Sequence, residues 1–298
     1  MRSLLFIPAD DEKKLGKGVT SGADVLLLDL EDAVAPSRKA DARRICADYI
    51  TATRGVAKRP RLFVRINALD TPYWADDLAG IVAAGPDGIM LPKPRGGADV
   101  HTLSVALDHA EQGAGLAASH IKIIAIATET PISLLNMATY VGASARLDGL
   151  TWGAEDLSAA IGARSNREAD GRTWTSPFRL ARDMCLMTAV AAGALPIDTV
   201  FVNFRDAEGL RAEAEQASRD GFVGKMAIHP NQVEILNEVF TPKPDELAMA
   251  QEIIAAFRDN PNAGVVGIRG KMIDKAHLAL AERLMGRAAL ANANRSGG

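Results

Sequence analysis

Val25–Glu31, VLLLDLE, is a nearly unbroken apolar run that ends in acids. A run without polar alternation suits a strand covered on both faces, as in a parallel sheet wrapped by helices. Working outward in both directions, the same unit recurs. Apolar, β-branched runs stand at 4–9 (LLFIPA), 61–67 (RLFVRIN), 88–93 (GIMLPK), 122–129 (KIIAIATE), 148–153 (DGLTWG), 199–204 (TVFVNF) and 224–229 (GKMAIH). Most of the intervals hold a helix-length segment, at 37–52, 74–84, 103–117, 133–140, 178–192 and 206–220. Eight strands joined by right-handed crossovers predict an α/β fold, a TIM (β/α)8 barrel, over residues 1–240. Residues 241–298 are not needed to close it. They show helical periodicity at 245–257 and 275–290 around the loop NPNAGVVGIRGKM, and end in ANANRSGG, which reads as frayed. This stretch is expected to be a C-terminal helical extension acting as a lid or subunit arm.

Bulk composition narrows the function. The 298 residues are 48% hydrophobic and 24% charged, enough for one large core. A formal net charge of -3 lacks the basic footprint of a nucleic-acid binder. Cys46 and Cys185 form no C-x-x-C or Cys/His spacing, which argues against a disulfide framework or a zinc site and fits a reducing compartment. The start, MRSLLFIPADD, has too short an apolar run for a signal peptide, and no stretch approaches the roughly 20 apolar residues of a membrane span. The expectation is a cytoplasmic protein with no membrane or nucleic-acid partner. Absence of G-x-S-x-G and of a Gly-rich phosphate loop excludes serine-hydrolase, dinucleotide and P-loop readings.

Barrel enzymes place their chemistry at the C-terminal ends of the strands. Here those ends carry Asp29, Glu31 and Asp32, then Arg65 and Asn67, Lys93, Glu129, Glu155 and Asp156, Asn203 and His229. Glu129 and Asp156 follow neighbouring strands, whose spacing of about 4.8 Å lets two carboxylates share one cation. Without a Cys or His pair, oxygen ligands favour Mg²⁺, with Mn²⁺ as a substitute ion. The competing reading makes Asp156 a helix N-cap and Glu129 half of a surface ion pair. Asp29, Glu31, Asp32 and Glu155 are expected to orient Arg65 or Lys93 through salt bridges. Arg65, in an apolar strand, needs a partner; it is either structural or poised to hold a carboxylate or an oxyanion. Lys13, Lys14 and Lys17, with Arg2, would suit a phosphate-bearing ligand or simply a solvated helix face. His229 reads equally as a general base or a fixed hydrogen-bonding element of the rim.

Taken together, RSLLFIPADDEKKLGKG, DVLLLDLEDAVAPSRKADAR, LFVRINALDT, DGIMLPKPR, IATETP, LDGLTWGAEDLSAAIGA, IDTVFVNFRDAEGL, GFVGKMAIHPNQ and KMID resemble the citrate lyase β-subunit-like family of the HpcH/HpaI aldolase superfamily, in order from residue 2 to about 274. The resemblance implies a Mg²⁺-dependent carbon–carbon lyase that cleaves a 2-hydroxyacyl-CoA such as malyl-CoA or citramalyl-CoA into acetyl-CoA and a 2-oxo acid. It also implies a homo-oligomer, a trimer or hexamer. By motif, Glu129 and Asp156 would bind the metal and Arg65 the carboxylate or enolate oxygen. Arg2, Lys13 and Lys17 would lie near the CoA phosphates, and Ile228, His229 and Pro230 beside that cofactor. Asp274 would be the acid that the lid brings over a neighbour's site. The alternatives are a malyl-CoA thioesterase or malate synthase-like activity, a CoA-independent 2-oxo acid aldolase, and a citrate lyase β-subunit acting on a carrier-bound thioester. A non-enzymatic CoA-binding subunit is a further competitor. Two positions depart from the family pattern: Ala9 stands where PG-x-x is usual, and Asn203 where many relatives have Asp.

Overall fold

All five residues of Val25–Asp29 are buried, and the two faces of the strand have different company. Val25 and Leu27 join the core inside the sheet, whereas Leu26 packs outward against the helix that follows the first strand. A strand exposes successive side chains to opposite faces, so an apolar run of this kind is what a barrel wall between core and helices requires.

The computed structural model describes residues 1–296, with side chains to 289. The chain divides into two compact units, Met1–Asn237 and a second beginning at Glu238. In order, the first contains β1 (Ser3–Pro8), α1 (Glu12–Gly18), β2 (Val25–Asp29), α2 (Lys39–Thr53), β3 (Arg61–Arg65), α3 (Trp74–Ile81) and β4 (Gly88–Leu91). Then come α4 (Gly97–Ala114), β5 (Lys122–Ile126), α5 (Pro131–Leu135), β6 (Leu147–Thr151), α6 (Ala154–Ile161), α7 (Ser176–Ala191), β7 (Leu195–Asp198), α8 (Ala207–Asp220) and β8 (Gly224–Ala227), with α9 (Val233–Val239) at the boundary. The eight strands close as one barrel in sequence order, each pair parallel and β1 joined to β8. The expected TIM barrel is therefore the fold.

Leu4, Val25, Leu27, Phe63, Met90, Ile124, Ile126, Ile197 and Met226 fill its interior. Phe63 reaches this position only because its neighbour in register is Gly88, where a Cβ would stand 2.1 Å from the phenyl ring. Among the described residues, no helix is long and apolar enough to cross a membrane.

Strand seven corrects the sequence reading. It spans Leu195–Asp198, and the TVFVNF run at 199–204 lies in the loop beyond it. Pro196 argues against a strand at LPID because proline cannot donate to a ladder. Here its carbonyl still accepts from Val223, and pairing with β8 stops at Asp198 opposite Lys225. Asn203 consequently stands on an exposed loop and not at a strand end.

The second unit holds α10 (Pro244–Asp259), β9 (Val265–Ile268), β10 (Lys271–Asp274) and α11 (Lys275–Ser296), around Ile253, Phe257, Ile268 and Ile273. The segment expected to be a plain loop contains an antiparallel hairpin. Its two-residue turn, Arg269 at φ 50° and Gly270 at φ 76°, is left-handed at both positions, as tight hairpins require. The tail expected to fray is helical through Ser296; residues 297 and 298 lie outside the described residues.

Candidate active site

The period of two that buries Leu27 and Phe63 also places Asp29 and Arg65 one layer higher, at the C-terminal mouth of the barrel. The two are partners in the β2–β3 register. Arg65 donates to Asp29 through Nε at 2.8 Å and Nη2 at 2.6 Å, a bidentate fork. Its Nη1 lies 3.1 Å from Glu31 Oε2, and its guanidinium stacks over Phe6 at 4.9 Å. Burial alone would lower the Arg65 pKa, but the hydrogen bonds and charge of Asp29, with Glu31 and Glu129, raise it and keep the side chain cationic. Asp29 is itself tied down by the Glu31 and Ala33 backbone amides.

Lys93 follows β4 with φ 50°, a conformation costly for a residue with a Cβ. That geometry sends its two ends to different partners. Its amide donates to Glu129 Oε2 at 2.5 Å, while Nζ donates to Glu31 Oε1 at 2.6 Å and lies 3.3 Å from Asp32 and 3.4 Å from Asp156. The acids expected to orient Arg65 and Lys93 thus do so, except Glu155, which instead accepts from Asn166 at 2.9 Å.

Glu129 is 3% exposed, three residues past β5. Burial raises its carboxyl well above the usual range, and the charges of Asp156 and Glu31 push the same way. Asp156 lies in the first turn of α6, whose N-cap is Gly153, so it is not the cap that the competing reading proposed. Gly153 lets the two loops touch: a Cβ there would stand 2.7 Å from Glu129 Cγ. Across the mouth, four carboxylates (Asp29, Glu31, Asp32 and Asp156) meet two cations, Arg65 and Lys93, and a fifth, Glu129, is held by the Lys93 amide. Glu31 Oε2, despite its ionic contact with Arg65, receives no hydrogen bond. Burial likewise raises the Glu31 carboxyl against the pull of Arg65 and Lys93. This surplus of negative oxygen fits a hard divalent cation, which commonly takes one or two carboxylates and leaves positions for water and ligand oxygens. Among the described residues no group of three or more His, Cys, Asp or Glu forms a closed metal cage.

The other candidates are dispersed. Lys13 and Lys17 are exposed on α1, which descends from the mouth, and Lys14 pairs with Asp11 at 3.1 Å. Ala9 is buried, its amide bonded to the Asp29 carbonyl at 3.0 Å. Arg2 is a correction. It precedes β1 at the opposite end of the barrel, about 20 Å from the mouth by the rise of a six-residue strand. There it is buried in a bidentate pair with Asp24, at 2.9 and 2.6 Å, which makes it a structural element at the base of the barrel and removes it from any phosphate site at the mouth.

His229 caps the short helical turn Pro230–Gln232, accepting from the Asn231 amide through Nδ1 at 3.2 Å. Its ring stacks on Phe204 with centroids 4.7 Å apart, beside a cavity of about 470 Å³ that Arg205 and Ile235 also line. Ile228 and Pro230 flank it, exposed. Asp274 belongs to the second unit, where it ends β10 and caps α11. It accepts from the Ala276 amide at 3.0 Å and contacts His277 Nδ1 at 2.6 Å, hydrogen bonds that hold its carboxyl below the usual range. Sequence reasoning missed Asp198 and Lys225, a fully buried ion pair on the outer face of β7 and β8.

A closed parallel barrel whose C-terminal mouth gathers carboxylates around one arginine and one lysine defines the class: a β/α-barrel enzyme built to handle oxygen-rich anions with a cation. More particularly, the chain belongs to the HpcH/HpaI aldolase/citrate lyase family, whose model matches residues 2–230. It is 35% identical over 293 residues to a (3S)-malyl-CoA thioesterase of Cereibacter sphaeroides, covering 96% of this chain and 94% of that one. It is 34% identical over 310 residues to the L-malyl-CoA/β-methylmalyl-CoA lyase of the same species, covering 98% and 96%. Among solved structures it resembles CitE of Mycobacterium tuberculosis, crystallised with magnesium, acetoacetate and coenzyme A. That likeness has a TM-score of 0.75 and 33% identity, and covers 97% of this chain and 100% of that one.

Proposed function

We propose that the chain is a Mg²⁺-dependent carbon–carbon lyase that cleaves a 2-hydroxyacyl-CoA such as malyl-CoA or citramalyl-CoA into acetyl-CoA and a 2-oxo acid. The observation that carries this reading is the Glu129–Asp156 carboxylate pair beside a firmly charged, bidentately held Arg65. In it, Glu129 and Asp156 are the metal ligands. Mg²⁺ bound there, with Mn²⁺ as a substitute, would polarise the hydroxyl and carboxylate oxygens of the substrate's 2-hydroxy acid portion.

The residues of the chain account for the rest of the reaction. The substrate hydroxyl gives up its proton to the Asp274 carboxylate as the bond between the carbinol carbon and the thioester α-carbon breaks. The hydroxyl oxygen becomes the oxo group of the released acid, and the bonding electrons pass to the thioester, which leaves as an enolate. Arg65, fixed by Asp29 before substrate arrives, stabilises that oxyanion without reorganising. A proton then returns to the α-carbon to give acetyl-CoA, and Asp274 is the proposed shuttle. Lys13, Lys17 and the Ile228–His229–Pro230 corner form the proposed CoA-binding side. Support for that placement is the exposure of the two lysines and the stacked Phe204–His229 face. Asp274 serves this reaction from a partner copy in a cytoplasmic homo-oligomer, trimer or hexamer. The exposed Val265, Met272 and Leu280 of the second unit support such an assembly.

The test is a coupled assay with malyl-CoA and citramalyl-CoA, with and without Mg²⁺, that follows 2-oxo acid, acetyl-CoA and free thiol separately. Metal-dependent 2-oxo acid with intact acetyl-CoA is expected. Free thiol without 2-oxo acid would replace the lyase with a thioesterase, the second reading that the thioesterase relative favours. Asp274→Asn is expected to keep metal binding while slowing turnover, and unchanged turnover would remove it from the mechanism.

A further inference from the structure

The last residue of β6 is followed by two residues that face opposite ways. Gly153 turns into the mouth against Glu129, and its amide donates to Thr128 Oγ1 at 3.1 Å. Trp152 turns outward into the layer between barrel and helices, where it is fully buried edge-on to Trp174, with centroids 4.9 Å apart. Its indole Nε1–H donates to Asp198 Oδ1 at 2.7 Å.

Asp198 is not a loosely held acceptor. Its other oxygen accepts from Lys225 Nζ at 2.6 Å, and Arg182 Nε lies 3.6 Å away. Lys225 is in turn bound by Glu213 at 2.8 Å, and Glu213 by Arg167 at 2.7 Å, whose guanidinium stacks on Trp174 at 3.1 Å. The chain of contacts therefore ends on Trp174, the ring that packs edge-on against the Trp152 indole where it began. Asp198 and Lys225 are both essentially inaccessible. Burying such ions is a poor route to stability, since apolar residues of similar volume often do as well. What the ring of contacts supplies is a fixed orientation for one indole, two positions before a carboxylate-bearing turn.

We propose that Asp198 is a positioning residue: acting through the Trp152 indole, it sets where Gly153–Asp156 leaves the barrel wall, and thereby the relation of Asp156 to Glu129. The inference rests on the reading of those two carboxylates as metal ligands. Thr128 and Glu129 brace the turn from inside, and the Trp152–Asp198 bond braces it from outside.

The experiment is Mn²⁺ titration of the substrate-free protein, following free Mn²⁺ by electron paramagnetic resonance. Trp152→Phe keeps a ring in the site and deletes only the N–H donor and the outer part of the indole. Its Mn²⁺ dissociation constant is expected to rise about tenfold, the usual scale for losing an outer-shell partner of a metal ligand. Gly153→Ala, which pushes on the same turn from the Glu129 side, is expected to weaken binding comparably. Glu111→Gln serves as the stability control. It disrupts the buried Arg146–Glu111 pair near the start of β5, away from the mouth, and is expected to lower the melting temperature without moving Mn²⁺ affinity. If Trp152→Phe binds Mn²⁺ as tightly as wild type while melting earlier, the indole bond is structural only and the proposal falls. If wild type itself binds no Mn²⁺, the metal reading fails and takes this inference with it.

Discussion

Glu129→Gln is expected to reduce turnover on the order of a thousandfold, a typical scale for losing a group that stabilises charge in a water-poor site. The same substitution is expected to raise the melting temperature of the metal-free protein. Both effects follow from one fact. Glu129 is a buried carboxylate facing Asp156 and Glu31, so its pKa lies well above the usual value. A carboxyl whose pKa is higher in the folded state than in the unfolded chain makes the fold less stable at pH values where it must ionise. Glutamine has nearly the same shape, and its carbonyl can still accept from the Lys93 amide, which now meets Glu129 Oε2 at 2.5 Å. It therefore removes the repulsion without opening a cavity. Thermal melts in EDTA and in Mg²⁺ separate the contributions. Wild type should gain stability with added Mg²⁺ by mass action, and the variant should lose most of that gain. A variant with wild-type turnover would eliminate Glu129 as a ligand. One that melts below wild type in EDTA would show that the charge is better compensated than its neighbours suggest.

How much of this site was legible in the sequence depends on whether a residue's role follows from strand periodicity or from the path of the chain between strands. Asp29 and Arg65 could be read because each follows directly on an unbroken apolar run, which puts it at the strand's C-terminal end whatever the loops do. Glu129 and Asp156 could be read for a related reason, as acids that close or shortly follow adjacent runs. Arg2 misled although it precedes the run at 4–9 and so stands at the N-terminal end of the strand; its pairing with Asp24 ties it to the base of the barrel. Asp198 was hidden by two conflicting signals. Pro196 argued against a strand, and the β-branched TVFVNF just beyond it argued for one a few residues too late. The hairpin in the second unit depends on Arg269 adopting a left-handed conformation that Gly, Asn and Asp usually supply. The left-handed Lys93 is a tertiary outcome of the same kind. Neither sequence pattern nor propensity distinguishes it from an ordinary loop lysine, yet its conformation joins Glu31 and Glu129 through one residue.

Arg65 carries the other large expectation, and two substitutions are needed to interpret it. Arg65→Ala is expected to cost about 3–5 kcal/mol of stability, because it leaves Asp29 and Glu31 buried without their partner. Loss of activity in that variant alone would therefore say little. Arg65→Lys retains a positive charge on a shorter, single-headed donor. It can neutralise Asp29 but cannot make the two parallel bonds at 2.8 and 2.6 Å while also reaching Glu31 at 3.1 Å. Its stability should fall much less than that of the alanine variant, whereas kcat should fall by about a hundredfold, because the donor facing the developing oxyanion is no longer held in place. Steady-state kinetics on the acyl-CoA substrate at saturating Mg²⁺, together with melts of both variants, test this. A lysine variant that keeps full kcat would reduce Arg65 to a structural counter-ion for Asp29. One that loses kcat but melts near wild type would mean that Asp29 and Glu31, the acids that make Arg65 structural, serve catalysis by aiming it.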